Sequence, residues 1–143
     1  MNILVINGPN LNMLGVRDSN IYGNTSYKEL VKMIEKHCRS KNIKVKCVQS
    51  NYEGKIVEII QKSVNKYQGI VINAGAYTHY SIAIKDALNL VRIPKVEVHI
   101  SNIYEREDFR KINYIKDECF TSIVGKGING YFEAIDLLIN EIK

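Results

Sequence analysis

No run in this chain approaches the ~20 apolar residues of a membrane span, and no charged and then apolar leader precedes its first strand-like segment. Neither membrane insertion nor secretion is therefore expected. Cysteine is sparse and widely spaced: Cys38, Cys47 and Cys119 form no C-x-x-C pair. They read as reduced thiols of a cytoplasmic protein, with Cys38 and Cys47 packing as small hydrophobes. The histidines, His37, His79 and His99, lie far apart, which fits poorly with a zinc site of closely spaced ligands. Neither G-x-x-x-x-G-K-[ST] nor G-x-G-x-x-G follows a strand, so the common nucleotide cradles are missing. Lysines are scattered over helix faces without a dense basic block or an RNP-type motif, which argues against a nucleic-acid surface.

What remains is an ordinary globular composition in 143 residues, 45% hydrophobic and 24% charged, enough for one domain with a sizeable core. The net charge of +5 suits an anionic substrate. Strand-like and helix-like segments alternate. Ile3–Ile6, Ile43–Val48, Gly69–Asn73, Val96–Ile100 and Phe120–Val124 read as strands, the second near an edge because lysines interrupt it. Helices are expected over 26–40 (capped by Ser26 or Thr25), 51–67 with Ile56, Ile59, Ile60 and Val64 inward, 80–91 and 127–142. Residues 101–118 read as a loop or a short irregular helix. Five strands with helical crossovers predict a parallel sheet covered on both faces, a flavodoxin-like three-layer α/β sandwich.

Polar residues gather where these strands end, which is where open α/β sheets build sites. The first strand spills into Asn7-Gly-Pro-Asn-Leu-Asn-Met-Leu-Gly15, and the same loop carries Arg17 and Tyr22-Gly23. A phenolate near neutral pH costs ~4 kcal/mol for an ordinary tyrosine, and one guanidinium at ~4 Å supplies about as much at an effective dielectric of 20. An arginine close to Tyr22 would make it a usable base; a loop anchor with a surface charge is the competing use. Glu97 and His99 lie two apart on the fourth strand and so share a face. A carboxylate beside an imidazole fixes its tautomer and favours its charged form, as a general acid requires. A structural ion pair is the alternative. Arg106 and Arg110 would share a face to grip an oxyanion if their segment is helical. His79 follows a Gly-containing turn as either a hydroxyl ligand or a satisfied core histidine, and Asp86 falls within a helix. Gly125-Lys-Gly127 reads as a tight turn.

These residues, in this order and spacing, resemble the type II 3-dehydroquinate dehydratases over essentially the whole chain. The resemblance is carried by Asn7-Gly-Pro-Asn-Leu-Asn-Met-Leu-Gly15, Arg17, Tyr22-Gly23, Asn73-Ala-Gly75 with Thr78-His79, Glu97-Val-His-Ile-Ser-Asn102 with Arg106-Glu107, and Gly125 to Gly130-Tyr131. It implies a single catalytic domain over 1–143 that dehydrates 3-dehydroquinate to 3-dehydroshikimate, in the shikimate pathway or in quinate breakdown. It also implies a dodecamer built as a tetramer of trimers, with no metal and no cofactor. Tyr22 would take a proton beside the ketone, with Arg17 stabilising its phenolate. His99, oriented by Glu97, would protonate the departing hydroxyl, and Asn10 would hold a water against the enolate. Asn73, His79, Ile100, Ser101 and Arg110 would hold the substrate, Arg106 would add positive field near Tyr22, and Asp86 would reach a neighbouring subunit's site. Asp18-Ser-Asn20 stands where family members often carry Glu-Pro, so more loop freedom is expected there. A flavodoxin-like binding protein that has lost catalysis is the competing reading, and a nucleotide- or flavin-binding enzyme of the same fold is a third.

Overall fold

The computed structural model describes residues 1–16 and 19–143. Among these residues five strands form one parallel sheet: β1 (Asn2–Asn7), β2 (Lys44–Gln49), β3 (Gly69–Asn73), β4 (Lys95–His99) and β5 (Thr121–Val124). Their spatial order is β2-β1-β3-β4-β5, the doubly wound flavodoxin-like arrangement. Among the described residues five α-helices accompany them: α1 (Ser19–Tyr22), α2 (Tyr27–Ser40), α3 (Glu53–Lys62), α4 (Ile82–Leu90) and α5 (Asn129–Ile142).

Period-two alternation sends successive strand residues to opposite faces, and each face has its own core. Ile3, Val5, Val71, Val96 and Val98 pack against Leu30, Ile34 and Cys38 of α2 and Tyr131, Ile135 and Leu138 of α5. Leu4, Ile6, Ile70 and Ile72 pack on the other side against Ile56 and Ile60 of α3 and Ile84 and Leu88 of α4. The valines of β4 belong to the first face, so Glu97 and His99 point to the second. At the sheet edge, Lys44 and Lys46 of β2 are exposed, a charge pattern that discourages edge-to-edge pairing.

Sequence boundaries differ from the observed ones for local reasons. Ser26 Oγ accepts the Glu29 backbone N–H at 3.1 Å, so α2 begins where the capping signal places it. The helix expected over 51–67 stops at Lys62, and Val64, read as inward, is 47% exposed beyond its end. Ser81 accepts the Ile84 N–H at 3.0 Å and starts α4 two residues later than expected; a 3₁₀ turn over Gly75–His79 precedes it. Between β4 and β5 three short 3₁₀ turns replace any continuous helix: Ile103–Glu105, Asp108–Lys111 and Lys116–Glu118. Arg106 is extended between the first two, so Arg106 and Arg110 do not share a helical face. Among the described residues no helix is long and apolar enough to cross a membrane.

Candidate active site

The chain changes direction across the sheet between β1 and β3, which leaves a crevice at the carboxyl ends of those strands. Asn7 and Asn73 are the last rung of that pairing, and the Gly8 N–H donates to the Asn73 carbonyl at 2.7 Å. The two loops then touch: a Cβ on Gly8 would stand 2.4 Å from the Ala74 carbonyl oxygen, so only glycine fits. Behind this rung the hydroxyl of fully buried Tyr131 donates to Asn7 Oδ1 at 2.6 Å and accepts from Asn73 Nδ2 at 2.9 Å. Asn73 Oδ1 in turn accepts the Gly75 N–H at 3.1 Å. The Asn73 amide is thereby locked with its NH2 end toward Tyr131 and one further N–H available.

In front of the rung lies a cavity of about 120 Å³. Tyr22, from the end of α1, lines it together with His99 from the end of β4, Ile100 and Ser101 just beyond, and Arg106 and Arg110 from the connection to β5. Asn10, Asn73 and His79 complete the wall on the β1 and β3 side. A roomier hollow of about 810 Å³ beside Met1, Glu35 and Arg39 lies at the amino ends of β1 and β2 and holds no such set of acid and base groups. Asp86 is exposed on α4 and does not line the cavity within one chain. Arg17 and Asp18 lie outside the described residues.

Among the described residues, Arg106 brings a guanidinium against Tyr22. Its Nη1 donates to the Tyr22 hydroxyl at 2.9 Å, its Cζ stands 5.6 Å from the ring centroid, and it reaches Ser101 Oγ at 3.4 Å. Arg110 pairs through Nε with Glu107 and lies over the Phe109 ring at 5.2 Å. Asn10 adopts a left-handed backbone (φ 69°), and its N–H donates to Asn51 Oδ1 at 3.0 Å. His79 Nδ1 is 2.8 Å from the Ile112 carbonyl, which can only accept; Nδ1 therefore carries the proton. Burial holds the His79 imidazole below its usual range. In the neutral ring, Nε2 is left as an acceptor, suited to a hydroxyl.

Glu97 is fully buried and supports His99. Its Oε2 stands 3.2 Å from His99 Nε2, an ion-pair distance without hydrogen-bond alignment. Thr78 Oγ1 donates to Oε2 at 2.7 Å, Asn113 Nδ2 donates to Oε1 at 2.7 Å, and Ser122 Oγ also donates to Oε1. Burial pushes the Glu97 carboxyl up, but His99 and the Ser122 and Thr78 hydroxyls outweigh it and hold the group down to about 2. The carboxylate is thus charged at neutral pH although it is buried. Gly125 and Gly127, both at positive φ, send their N–H groups to the carbonyls of His99, Ser101 and Ile100, so the tight turn after β5 pins the end of β4. Among the described residues no three His, Cys, Asp or Glu side chains are grouped to hold a metal ion.

Sequence reasoning gave no role to Asn7, Thr78, Asn113, Ser122 or Tyr131. Tyr131 carried a signal, a phenol on an otherwise apolar helix face that must bury a polar tip. Ser122 carried a weaker one, a hydroxyl within a short, half-buried strand. Nothing local marked Asn113, whose partner lies 16 residues away on another element.

The family model described as "Dehydroquinase class II" matches residues 1–139. A protein of Thermotoga maritima described as 3-dehydroquinate dehydratase is 50% identical over 143 residues, covering 100% of this chain and 98% of that one. One of Fusobacterium nucleatum with the same description is 54% identical over 142 residues, covering 97% of each. The crystal structure of the type II dehydroquinase from Butyrivibrio crossotus superposes with a TM-score of 0.95 at 59% identity, covering 97% of each chain.

Proposed function

The chain belongs to the class II dehydroquinase family, and on that premise we propose that it dehydrates 3-dehydroquinate to 3-dehydroshikimate by reversible anti elimination through an enolate. One observation carries the reading: a tyrosine under a guanidinium and an imidazole backed by a buried carboxylate meet at one cavity.

The proton beside the ketone is weakly acidic and the hydroxyl a poor leaving group, so the reaction needs a base, an acid and a polar hold on the enolate oxygen. Tyr22 takes the carbon-bound proton as phenolate, with Arg106 and, by the family resemblance, Arg17 countering its charge. A water held by Asn10 stabilises the enolate. His99 gives its proton to the hydroxyl as the C–O bond breaks and water leaves; Glu97 balances the imidazolium until then. Tyr22 afterwards releases its proton and His99 regains one. Base and acid come from α1 and β4, which lets proton and hydroxyl depart from opposite faces.

Arg110, His79, Asn73, Ile100 and Ser101 hold the substrate's carboxylate and hydroxyls. Arg110 must exchange Glu107 for that carboxylate, a swap between two anions at one guanidinium. The reading extends to one catalytic domain over 1–143, to a cytoplasmic enzyme of the shikimate route, and to a dodecamer, a tetramer of trimers, in which Asp86 reaches a neighbour's site.

The test is direct. EDTA-treated protein is mixed with 3-dehydroquinate, near-ultraviolet absorbance of the conjugated enone is followed, and a borohydride-treated sample serves as the control for imine chemistry. Product formation that survives both treatments supports the reading. No product from folded protein would overturn it and favour the binding protein.

A further inference from the structure

A carboxylate can rotate about its last carbon–carbon bond, so a carboxylate that serves a histidine must be held from its far side. Glu97 is held in this way from three elements. Ser122 is its register partner on β5 and donates to Oε1. Asn113, from the connection between Arg110 and β5, donates to the same oxygen at 2.7 Å. Thr78, from the turn after β3, donates to Oε2 on the side of His99. The orientation of the Asn113 amide is not free: its Oδ1 accepts the N–H groups of Ile115 and Lys116, each at 3.0 Å, so Nδ2 must face Glu97. The same stretch is fastened to the site by the His79–Ile112 contact and by the Tyr114 N–H to the Thr78 carbonyl at 2.9 Å.

Resting on the dehydratase reading, we propose that Asn113 and Ser122 are positioning residues of the acid–base pair: by donating together to Oε1 of Glu97, they aim Oε2 at His99. Neither lines the cavity; both reach it through Glu97, and Asn113 Oδ1 also accepts from Thr78 Oγ1 at 3.2 Å. The titratable groups around that carboxylate are His99 on its own strand, His79 on the turn after β3 and Cys119 just before β5; Arg110 acts on His79 from the connection to β5. Removing a donor from the ionised form makes that form less favourable, so Glu97 should hold its proton to higher pH.

The experiment compares Asn113→Ala, Ser122→Ala and Ser122→Thr with the parent protein. Steady-state dehydration is followed across pH, and the carboxyls are titrated by 13C NMR on glutamate-labelled protein with Glu97→Gln to assign the signal. Both alanine variants should lose about 10- to 100-fold in kcat, the range expected for a hydrogen bond to a charged group, with KM within about threefold. The acid limb of the kcat profile and the Glu97 midpoint should both move to higher pH, and Ser122→Thr, which keeps the hydroxyl, should behave like the parent. Ser122→Ala keeps the backbone pairing of β5 and reports even if Asn113→Ala disturbs its connection. Unchanged kcat and acid limb in either folded alanine variant, or losses confined to KM, would overturn the assignment. An inactive parent protein would instead sink the dehydratase reading; the NMR midpoint then still decides, and an unchanged midpoint would remove the positioning role.

Discussion

Arg106 donates to the hydroxyl of Tyr22 at 2.9 Å across 84 residues of sequence. The charged donor fixes the position of the oxygen proposed as the base for this site. Tyr22→Phe keeps the ring and the contact area but removes the reacting oxygen. Turnover should fall by about 10³-fold or more with KM within about threefold, because the lost group acts in the transition state. A Phe variant retaining most of its kcat would remove Tyr22 as the base.

Arg110 should divide the kinetics the other way. Its guanidinium lines the cavity and pairs with the carboxylate of Glu107. Arg110→Ala should raise KM about 10- to 100-fold and lower kcat less, since a charge-assisted contact present in ground and transition states alike is lost. Equilibrium binding of the product by calorimetry checks this, and unchanged affinity would take Arg110 off the list of substrate contacts.

Acid should weaken the fold through Glu97. Its folded carboxyl is held down to about 2 against an ordinary 4.5, so its stabilising contribution is complete above pH 4.5. That contribution drains away as pH falls from there toward 2. Urea melts of the parent protein between these limits should lose stability more steeply than those of Glu97→Gln, which has no proton to take up. Parallel pH dependences would show that Glu97 does not carry the acid sensitivity.

Gly8 should tolerate no side chain. Its would-be Cβ meets the Ala74 backbone carbonyl rather than a flexible side chain, so the β1 and β3 loops would have to separate. Gly8→Ala should cost about 1–3 kcal/mol of stability, as overpacking does, and should also impair activity by opening the rung under the cavity. Thermal melting and kcat together test it; a variant as stable and active as the parent would show that the loops part freely.

The strands and the two faces of the sheet were legible in the sequence because burial on both sides leaves continuous apolar runs such as Gly69–Asn73 and because Ser26 carries its own capping signal. The Glu97–His99 pair was legible too, since spacing by two on a strand means a shared face whatever the rest of the chain does. Helix ends were less so: Val64 looks inward by period but lies past the point where α3 stops. The family resemblance put Arg106 near Tyr22, but its hydrogen bond there, the locked amide of Asn73 between Tyr131 and Gly75, and the donors on Glu97 were decided only by the tertiary structure. Each joins residues from separate elements, and hydrogen bonds of that kind depend on where two backbones come to lie, which no local pattern of residues encodes. Sequence thus determined which chemical groups stand at the carboxyl ends of the strands, and the packing of loops over those ends decided which of them touch.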